Sequence, residues 1–286
     1  IGLGIPPEVL PNAYIGLVAA ICLYAVGGGL IEVLISPIVE ACPTEDKVGN
    51  MSLLHSFYCW GLVGVILLST LFFKIVGIGH WRILPVLWAL VPMFNFFYFS
   101  RVPINQLVEK DEAEPAGKMM RTKIFWIFIV MMICAGASEQ AMSQWASAFA
   151  EMGLHVDKTT GDLLGPCMFA VLMGVARTFY GKVSGKIRLT VFMSASAVLC
   201  VFSYLLAVFS PIPVLSLAGC ALTGLSVGIM WPGTFSLAAE RCPKGGTVMF
   251  AFFALAGDLG CAGGPGLVGL LSGTGSGGLK SGLLFA

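Results

Sequence analysis

Long apolar runs separated by short polar stretches dominate the hydrophobic pattern of this chain. A helix needs about 20 mostly apolar residues to cross the apolar layer of a membrane. We predict eight such runs, at 13–39, 53–76, 81–99, 124–150, 163–180, 189–209, 214–239 and 248–271. Because the runs are continuous, they favour helices over the short alternating segments of a membrane-spanning barrel. The pattern therefore predicts an all-α integral membrane protein.

Composition agrees with this fold class. Apolar residues make up 57% of the chain and charged residues 11%, whereas soluble domains usually carry about 25% charged residues. The net charge of +1 gives no reason to expect nucleic acid as a partner. We expect the lipid bilayer, a small solute and protons as partners, and a multi-pass monomer in the cell membrane.

The nine cysteines lie singly, with no CxxC pair and no Cys/His cluster. Neither a disulfide framework nor a metal site is indicated, and no cofactor is expected. The glycine-rich stretches 27–29, 257–266 and 273–278 lack the pattern of a phosphate loop. We expect the first two to allow close helix approach.

Both ends of the chain lie within apolar sequence. Residues 1–5 are typical of the tail of an earlier span, and the final Leu-Leu-Phe-Ala is typical of the start of a later one. We interpret the chain as a bundle that is incomplete at both ends.

A polar segment, 101–122, divides the chain into 1–100 and 123–286. If this segment lies inside the cell, most of the 16 Lys and Arg residues fall on the cytoplasmic side, as the positive-inside rule requires. Glu40-Ala-Cys-Pro43 ends one predicted span, and Glu240-Arg-Cys-Pro243 ends another. Glycine-containing spans flank both. Parallel duplicated halves are a transporter architecture, so the sequence predicts two pseudo-repeated halves.

With these features the chain resembles the major facilitator superfamily. The stretch 181–186 keeps the glycine and the cation of the family's loop between helices eight and nine, but lacks its aspartate. The resemblance implies that the eight runs are helices four to eleven, with parts of helices three and twelve at the ends.

Two stretches, 30–39 and 52–61, resemble the sugar:proton symporters that include the fucose permeases. That group has a glutamate in helix four shortly before an Asn-Pro pair, and a polar, aromatic stretch opening helix five. Here Ser36 replaces the asparagine. The resemblance implies that Glu32 belongs to the proton-coupling machinery, with an aspartate on a helix one that this sequence does not contain.

Glu32 is the only charge within the run 13–39. A carboxylate deep in a membrane helix is costly, so it should face a protein interior or a wet cavity. Desolvation disfavours its charged form, so it can load a proton on one side and release it on the other. The alternative is a structural acid paired to a cation or a hydroxyl.

Four polar residues share helical spacing near the middle of run 124–150. Glu139 and Ser143 are four apart, as are Gln140 and Gln144, so they predict one polar stripe. The resemblance places this helix along the central cavity. Amides beside an aromatic ring suit a polyhydroxylated solute, although an interhelical hydrogen-bond cluster is the alternative.

Asp258 lies within run 248–271 and predicts a second proton or ion site, or a partner for Arg177. We expect Arg177, near the inner end of its run, to extend to the membrane interface. His55 begins helix five and predicts a solute contact or a titrating group, or else a histidine at the interface. Tyr58, on the same predicted helix, is a second candidate for contact with the solute.

Trp231, followed by Pro232, predicts a kink and a wall for a sugar ring; ordinary packing is the alternative.

These features predict a secondary active transporter that moves a small polar solute, best matched by a sugar, through proton-coupled alternating access. One alternative is a proton-driven exporter of apolar or cationic compounds, since acids in an apolar cavity serve that role too. Another is a non-transporting sensor on a transporter scaffold. We do not expect an enzyme, because no Ser/His/Asp or metal-ligand pattern occurs at workable positions.

Overall fold

A computed structural model describes residues 12–109, 112–153, 155–274 and 278–285. The described part is helical, and no strand occurs within it. Its α-helices are α1 (Ala13–Glu40), α2 (Lys47–Val76), α3 (Ile83–Trp88), α4 (Leu90–Phe99), α5 (Ala116–Met119), α6 (Lys123–Ala148), α7 (Lys158–Asp162), α8 (Met168–Val183), α9 (Leu189–Phe209), α10 (Pro213–Val227), α11 (Met230–Arg241), α12 (Gly246–Thr274) and α13 (Leu279–Leu284).

Within the described residues, seven stretches are long and apolar enough to cross a membrane. They are Ala13–Glu40, Lys47–Val76, Lys123–Met152, Lys158–Val183, Leu189–Phe209, Pro213–Arg241 and Gly246–Gly273. Seven of the eight predicted runs are therefore confirmed. Of the two predicted end pieces, residues 1–5 lie outside the described residues, and α13 includes part of the other.

The predicted run 81–99 forms a shorter, broken helix instead. α3 ends at Trp88 and α4 begins at Leu90. Pro92 explains the break, because it has no N–H to donate to the Trp88 carbonyl and its ring crowds that carbonyl. The backbone bonds on either side, from Ala89 to Pro85 and from Met93 to Ala89, are kept.

Two wide π-helical turns occur in the second part of the chain. α6 runs on into Phe149–Gly153, and α7 joins α8 through Leu163–Cys167. Pro166 lies in the second turn. It cannot make the ordinary bond to the carbonyl four residues earlier, which favours the wider turn.

Glycines allow α6 and α12 to approach closely. A Cβ on Gly136 would meet the carbonyl of Gly257, and one on Gly260 would meet the carbonyl of Ile133. Small residues at such contacts are typical of helix packing in membranes. The expected role is thus confirmed for the α12 glycines. Residues 27–29, by contrast, have no neighbouring atom near their added Cβ positions.

The segment 101–122 separates α1–α4 from α6–α13 along the chain. We refer to α1–α4 as the first helix group and to α6–α13 as the second. The groups meet mainly where α2 packs against α8, with further contact between α1 and α12. The segment between them contains the short helix α5, and its Glu114 N–H donates to the Lys244 carbonyl at 2.9 Å.

Candidate functional site

A buried arginine lies where the two helix groups meet. Arg177 on α8 is only 2% exposed. Its Nη2 donates to Oε2 of Glu139 on α6 at 3.0 Å, and Glu139 is itself 6% exposed. The expectation that Arg177 extends to the interface is therefore wrong, and its partner is Glu139 rather than Asp258. A guanidinium needs this counterion because an unpaired charge inside the bundle would be far more costly.

Three further acceptors surround the same guanidinium. Arg177 Nη1 donates to the carbonyl of His55 at 3.0 Å and to Cys59 Sγ at 3.3 Å, both on α2. Arg177 Nε donates to the carbonyl of Gly228 at 2.7 Å, between α10 and α11. One side chain thus binds three neighbouring elements.

The gap between α10 and α11 has a local cause. Pro232 lies four residues after Gly228 and has no N–H, so the Gly228 carbonyl lacks its helical donor. α10 accordingly ends at Val227 and α11 begins at Met230. The kink predicted from Trp231-Pro232 is present, and Arg177 supplies the missing donor.

Polar side chains continue from this ion pair towards more open space. Gln140 Nε2 donates to Tyr58 Oη at 3.5 Å, and Gln144 Nε2 donates to Gln140 Oε1 at 3.3 Å. Tyr58 is 51% exposed, and its ring centroid lies 5.9 Å from the Arg177 guanidinium carbon. These hydrogen bonds join α2 of the first group to α6 of the second. Ser143, on the same helix, is half-buried.

Gln144 also borders a cavity of about 440 Å³ between α6 and α12. Trp145, Cys261 and Pro265 contribute to its lining. The Trp145 indole N–H donates to the Pro265 carbonyl at 3.0 Å, so its ring is fixed against α12. The predicted polar stripe therefore ends at an open hollow between α6 and α12.

His55 lies well inside α2, which begins at Lys47 rather than near residue 53. Its Nε2 lies 3.2 Å from the Oγ of Ser36 on α1. Its ring also packs against Phe235, with centroids 5.9 Å apart. The interpretation of His55 as a helix-end residue at the interface is wrong, and the side chain instead joins α1 to α2.

Glu32 and Asp258 come from opposite helix groups. Glu32, on α1, is half-buried, and Asp258, on α12, is exposed. α1 and α12 are in contact, so the two acids lie on adjoining helices. Within the described ranges, neither Glu32 nor Asp258 forms an ion pair or a hydrogen bond through its carboxylate. The structural alternative for Glu32, a paired acid, therefore finds no partner there.

Trp231 is packed rather than open. It is 6% exposed, contacts Gly257 on α12, and lies edge-on to Phe235 with centroids 6.1 Å apart. In this conformation its ring belongs to the core between α11 and α12, which was the alternative interpretation from the sequence.

Comparison with known proteins gives the family. The sequence profile of the Major Facilitator Superfamily matches residues 1–265. The chain belongs to the Major Facilitator Superfamily. It is accordingly a transporter-family protein that crosses the cell membrane several times.

Similar proteins share the fold of this superfamily member. A crystal structure of the fucose:proton symporter FucP of E. coli aligns with a TM-score of 0.76 at 14% identity, covering 98% of this chain and 75% of FucP. FucP in its outward conformation aligns with a TM-score of 0.74 at 14% identity, covering 99% and 75%. Membrane protein MosC of Rhizobium meliloti is 23% identical over 257 residues. That alignment covers 88% of this chain and 61% of MosC, so the chain spans about three fifths of this relative.

Sequence reasoning missed the central role of Arg177 in this superfamily member. Two signals could have revealed it. Glu139 and Arg177 are opposite charges in neighbouring apolar runs, and such charges tend to pair inside a membrane. The offset of four between Gly228 and Pro232 also marks a carbonyl that needs an outside donor.

Proposed function

We propose that this protein is a secondary active transporter that moves a small polar solute, a sugar by class, through proton-coupled alternating access. The observation that carries the proposal is the pair of carboxylates, Glu32 and Asp258, that lie in membrane-spanning helices without a counterion among the described residues. An unpaired intramembrane acid is costly and is usually functional.

In this proposal the two helix groups, within residues 1–100 and 123–286, rock about the central site while 101–122 links them. The contact between α2 and α8 is then the surface along which the groups would rock. A site formed from both groups can open to one side of the membrane and then to the other.

Glu32 and Asp258 would carry the coupling protons. Both groups are acids on helices that are in contact, so the charge of either one raises the cost of ionising the other. Protonation removes that repulsion and lowers the cost of bringing α1 and α12 together. Loading a proton would thereby favour the conformations in which the two groups approach each other at this level.

Tyr58, Gln140 and Gln144 would bind the solute, with Ser143 and His55 beside them. Their hydroxyl and amide groups suit the hydroxyls of a sugar, and the Tyr58 ring offers a flat apolar face. In this conformation Glu139 is paired with Arg177, and Trp231 is packed in the core. Either side chain would have to rearrange to contact solute. The likeness to a fucose:proton symporter supports the choice of a sugar as the first solute to test.

The test uses the full-length protein in proteoliposomes under an inward proton gradient. Uptake of labelled L-fucose and a panel of other hexoses is followed, with Glu32→Gln compared beside the unchanged protein. We expect gradient-driven uptake that Glu32→Gln abolishes, while exchange between solute pools persists. No uptake of any hexose would refute the sugar assignment and favour the exporter, which competition by lipophilic cations would then reveal. Uptake unaffected by Glu32→Gln would refute the coupling role.

A further inference from the structure

The break between α10 and α11 leaves a backbone carbonyl without its helical donor. Pro232 has no N–H for the Gly228 carbonyl. Inside a membrane bundle, where water is scarce, an unsatisfied carbonyl is costly. Arg177 Nε donates to this oxygen at 2.7 Å. The guanidinium of α8 therefore supplies the hydrogen bond that is missing between α10 and α11.

The same guanidinium also fixes α2. Its Nη1 binds the His55 carbonyl at 3.0 Å, and Ser52 Oγ on α2 donates back to the Arg177 carbonyl at 2.7 Å. These bonds cross between the two helix groups. With Glu139 as counterion, Arg177 is held from α2, α6 and the α10–α11 break simultaneously.

Stability alone does not account for such a group. A buried ion pair often contributes little net stability, and apolar side chains of similar size can replace it without loss. A rigid fork of donors does, however, fix the relative positions of the elements that it binds. The elements fixed here carry Tyr58 on α2 and Gln140 on α6, and these two side chains are hydrogen-bonded to each other at 3.5 Å.

We propose that Arg177, oriented by Glu139, is the positioning residue that sets the distance between the two sides of the solute site. It contacts no solute itself. It holds Tyr58 from the first helix group opposite Gln140 from the second. This inference rests on the proposed function, in which Tyr58 and Gln140 bind the solute.

The first test compares Arg177→Lys with Arg241→Lys in proteoliposomes loaded under a proton gradient, using L-fucose and the hexose panel. Lysine keeps the charge beside Glu139 but loses the planar fork. We expect Arg177→Lys to raise KM about tenfold with Vmax changed by less than about threefold, since the site is distorted while coupling is kept. Arg241 is exposed at the end of α11, so Arg241→Lys should leave both values unchanged. An unchanged KM in Arg177→Lys would overturn the proposal.

A second variant separates positioning from general stability. Pro232→Ala returns an N–H to the Gly228 carbonyl, so it should raise the melting temperature of Arg177→Lys in detergent. The KM should stay raised, because α2 still lacks its hydrogen bonds to the fork. Recovery of KM together with the melting temperature would show a purely structural role and would overturn the proposal.

A third measurement needs no solute and keeps the two hypotheses distinguishable. In a variant that keeps the buried Cys59, a partner of Arg177, and has its other eight cysteines replaced by serine, Tyr58→Cys and Gln140→Cys are joined by a short bifunctional methanethiosulfonate. We expect Arg177→Lys to lower the cross-linked fraction several-fold and Arg241→Lys to leave it unchanged. If the unchanged protein transports no hexose, the proposed function fails, yet this measurement still decides the positioning role. An equal cross-linked fraction in the two variants would overturn it.

Discussion

At the scale of single residues, the environment of a charge explains more than its position along the chain. Glu139 and Arg177 are separated by 38 positions in sequence but form one buried pair. Glu32 and Asp258 lie in comparable apolar runs and remain without such a partner among the described residues. Acids in similar apolar runs therefore have different environments. Pairing fixes the charge of Glu139, whereas the proposed function assigns proton exchange to the two unpaired acids.

Removing either member of the buried pair Glu139–Arg177 should destabilise the protein. Glu139→Leu leaves the Arg177 charge buried without its counterion, which should cost about 3–5 kcal/mol. Arg177→Leu leaves Glu139 and the Gly228 and His55 carbonyls without their donor, so we expect an equal or larger loss. The double variant should lose less than the sum of the two. Thermal unfolding in detergent measures all three, and additive losses would show that the pair is not coupled.

Loss of the hydrogen bond between Ser36 and His55 should destabilise the protein less than loss of the buried ion pair. Ser36 is 1% exposed and binds His55 Nε2, which joins α1 to α2. Ser36→Ala removes a single neutral hydrogen bond and should cost about 1 kcal/mol. Ser36→Asn, which introduces the residue that the resembling symporters carry, can bond to His55 again and should recover part of the loss. Melting temperatures of the two variants, compared with Ser194→Ala on α9, provide the check; equal losses in both Ser36 variants would contradict this account.

At the scale of helices, the sequence predicted seven membrane-spanning segments and the kink at Pro232, but not the other interruptions. Hydropathy averages over about 20 residues, so it locates spans reliably and is insensitive to one missing N–H. Pro92 and Pro166 each alter a helix in a way that a continuous apolar run does not reveal. A proline alone does not decide the matter, since Pro37 and Pro265 lie within the continuous helices α1 and α12.

The glycines of α12 give a prediction at the same scale. Gly260 lies against the Ile133 carbonyl, which is backbone and cannot move aside, whereas Gly263 on the same helix has no atom near its added Cβ. Gly260→Ala should destabilise the protein by about 1–3 kcal/mol through overpacking. Gly263→Ala should be neutral or stabilising by up to about 1 kcal/mol, because alanine favours helix. Equal melting temperatures of the two variants would refute this packing of α6 on α12.

At the scale of the whole molecule, contact between the helix groups depends on pairings that hydropathy cannot reveal. The sequence predicted a two-part design from a repeated tetrapeptide. Both copies begin in the last turn of a helix, α1 or α11, and continue into the connection to the next long helix. It did not predict that α2 and α8 form the main contact. That contact depends on Gly174 and Gly181, where an added Cβ would press on Trp60 and on Leu53. Fit of this kind depends on three-dimensional packing rather than on periodicity.

One end of this contact suggests a test of alternating access. Asp46 caps α2, and its Oδ2 accepts a hydrogen bond from Ser184 Oγ, just beyond α8, at 2.5 Å. The pair therefore spans the two helix groups at one membrane side. If the groups must separate there during transport, a covalent link should stop the cycle. We expect Asp46→Cys with Ser184→Cys, in a protein with its native cysteines replaced, to cross-link and to lose uptake until dithiothreitol is added.

A second Ser–Asp pair supplies the matched control. Ser147, on α6, donates to Asp162 at the end of α7, and both belong to the second helix group. Ser147→Cys with Asp162→Cys should also cross-link, yet uptake should continue, because elements of one rigid group need not separate. Equal inhibition by both links would mean that cross-linking itself damages the protein. Continued uptake by the protein linked at Asp46→Cys and Ser184→Cys would mean that the two groups do not part at this side, and rocking about the central site would have to be abandoned.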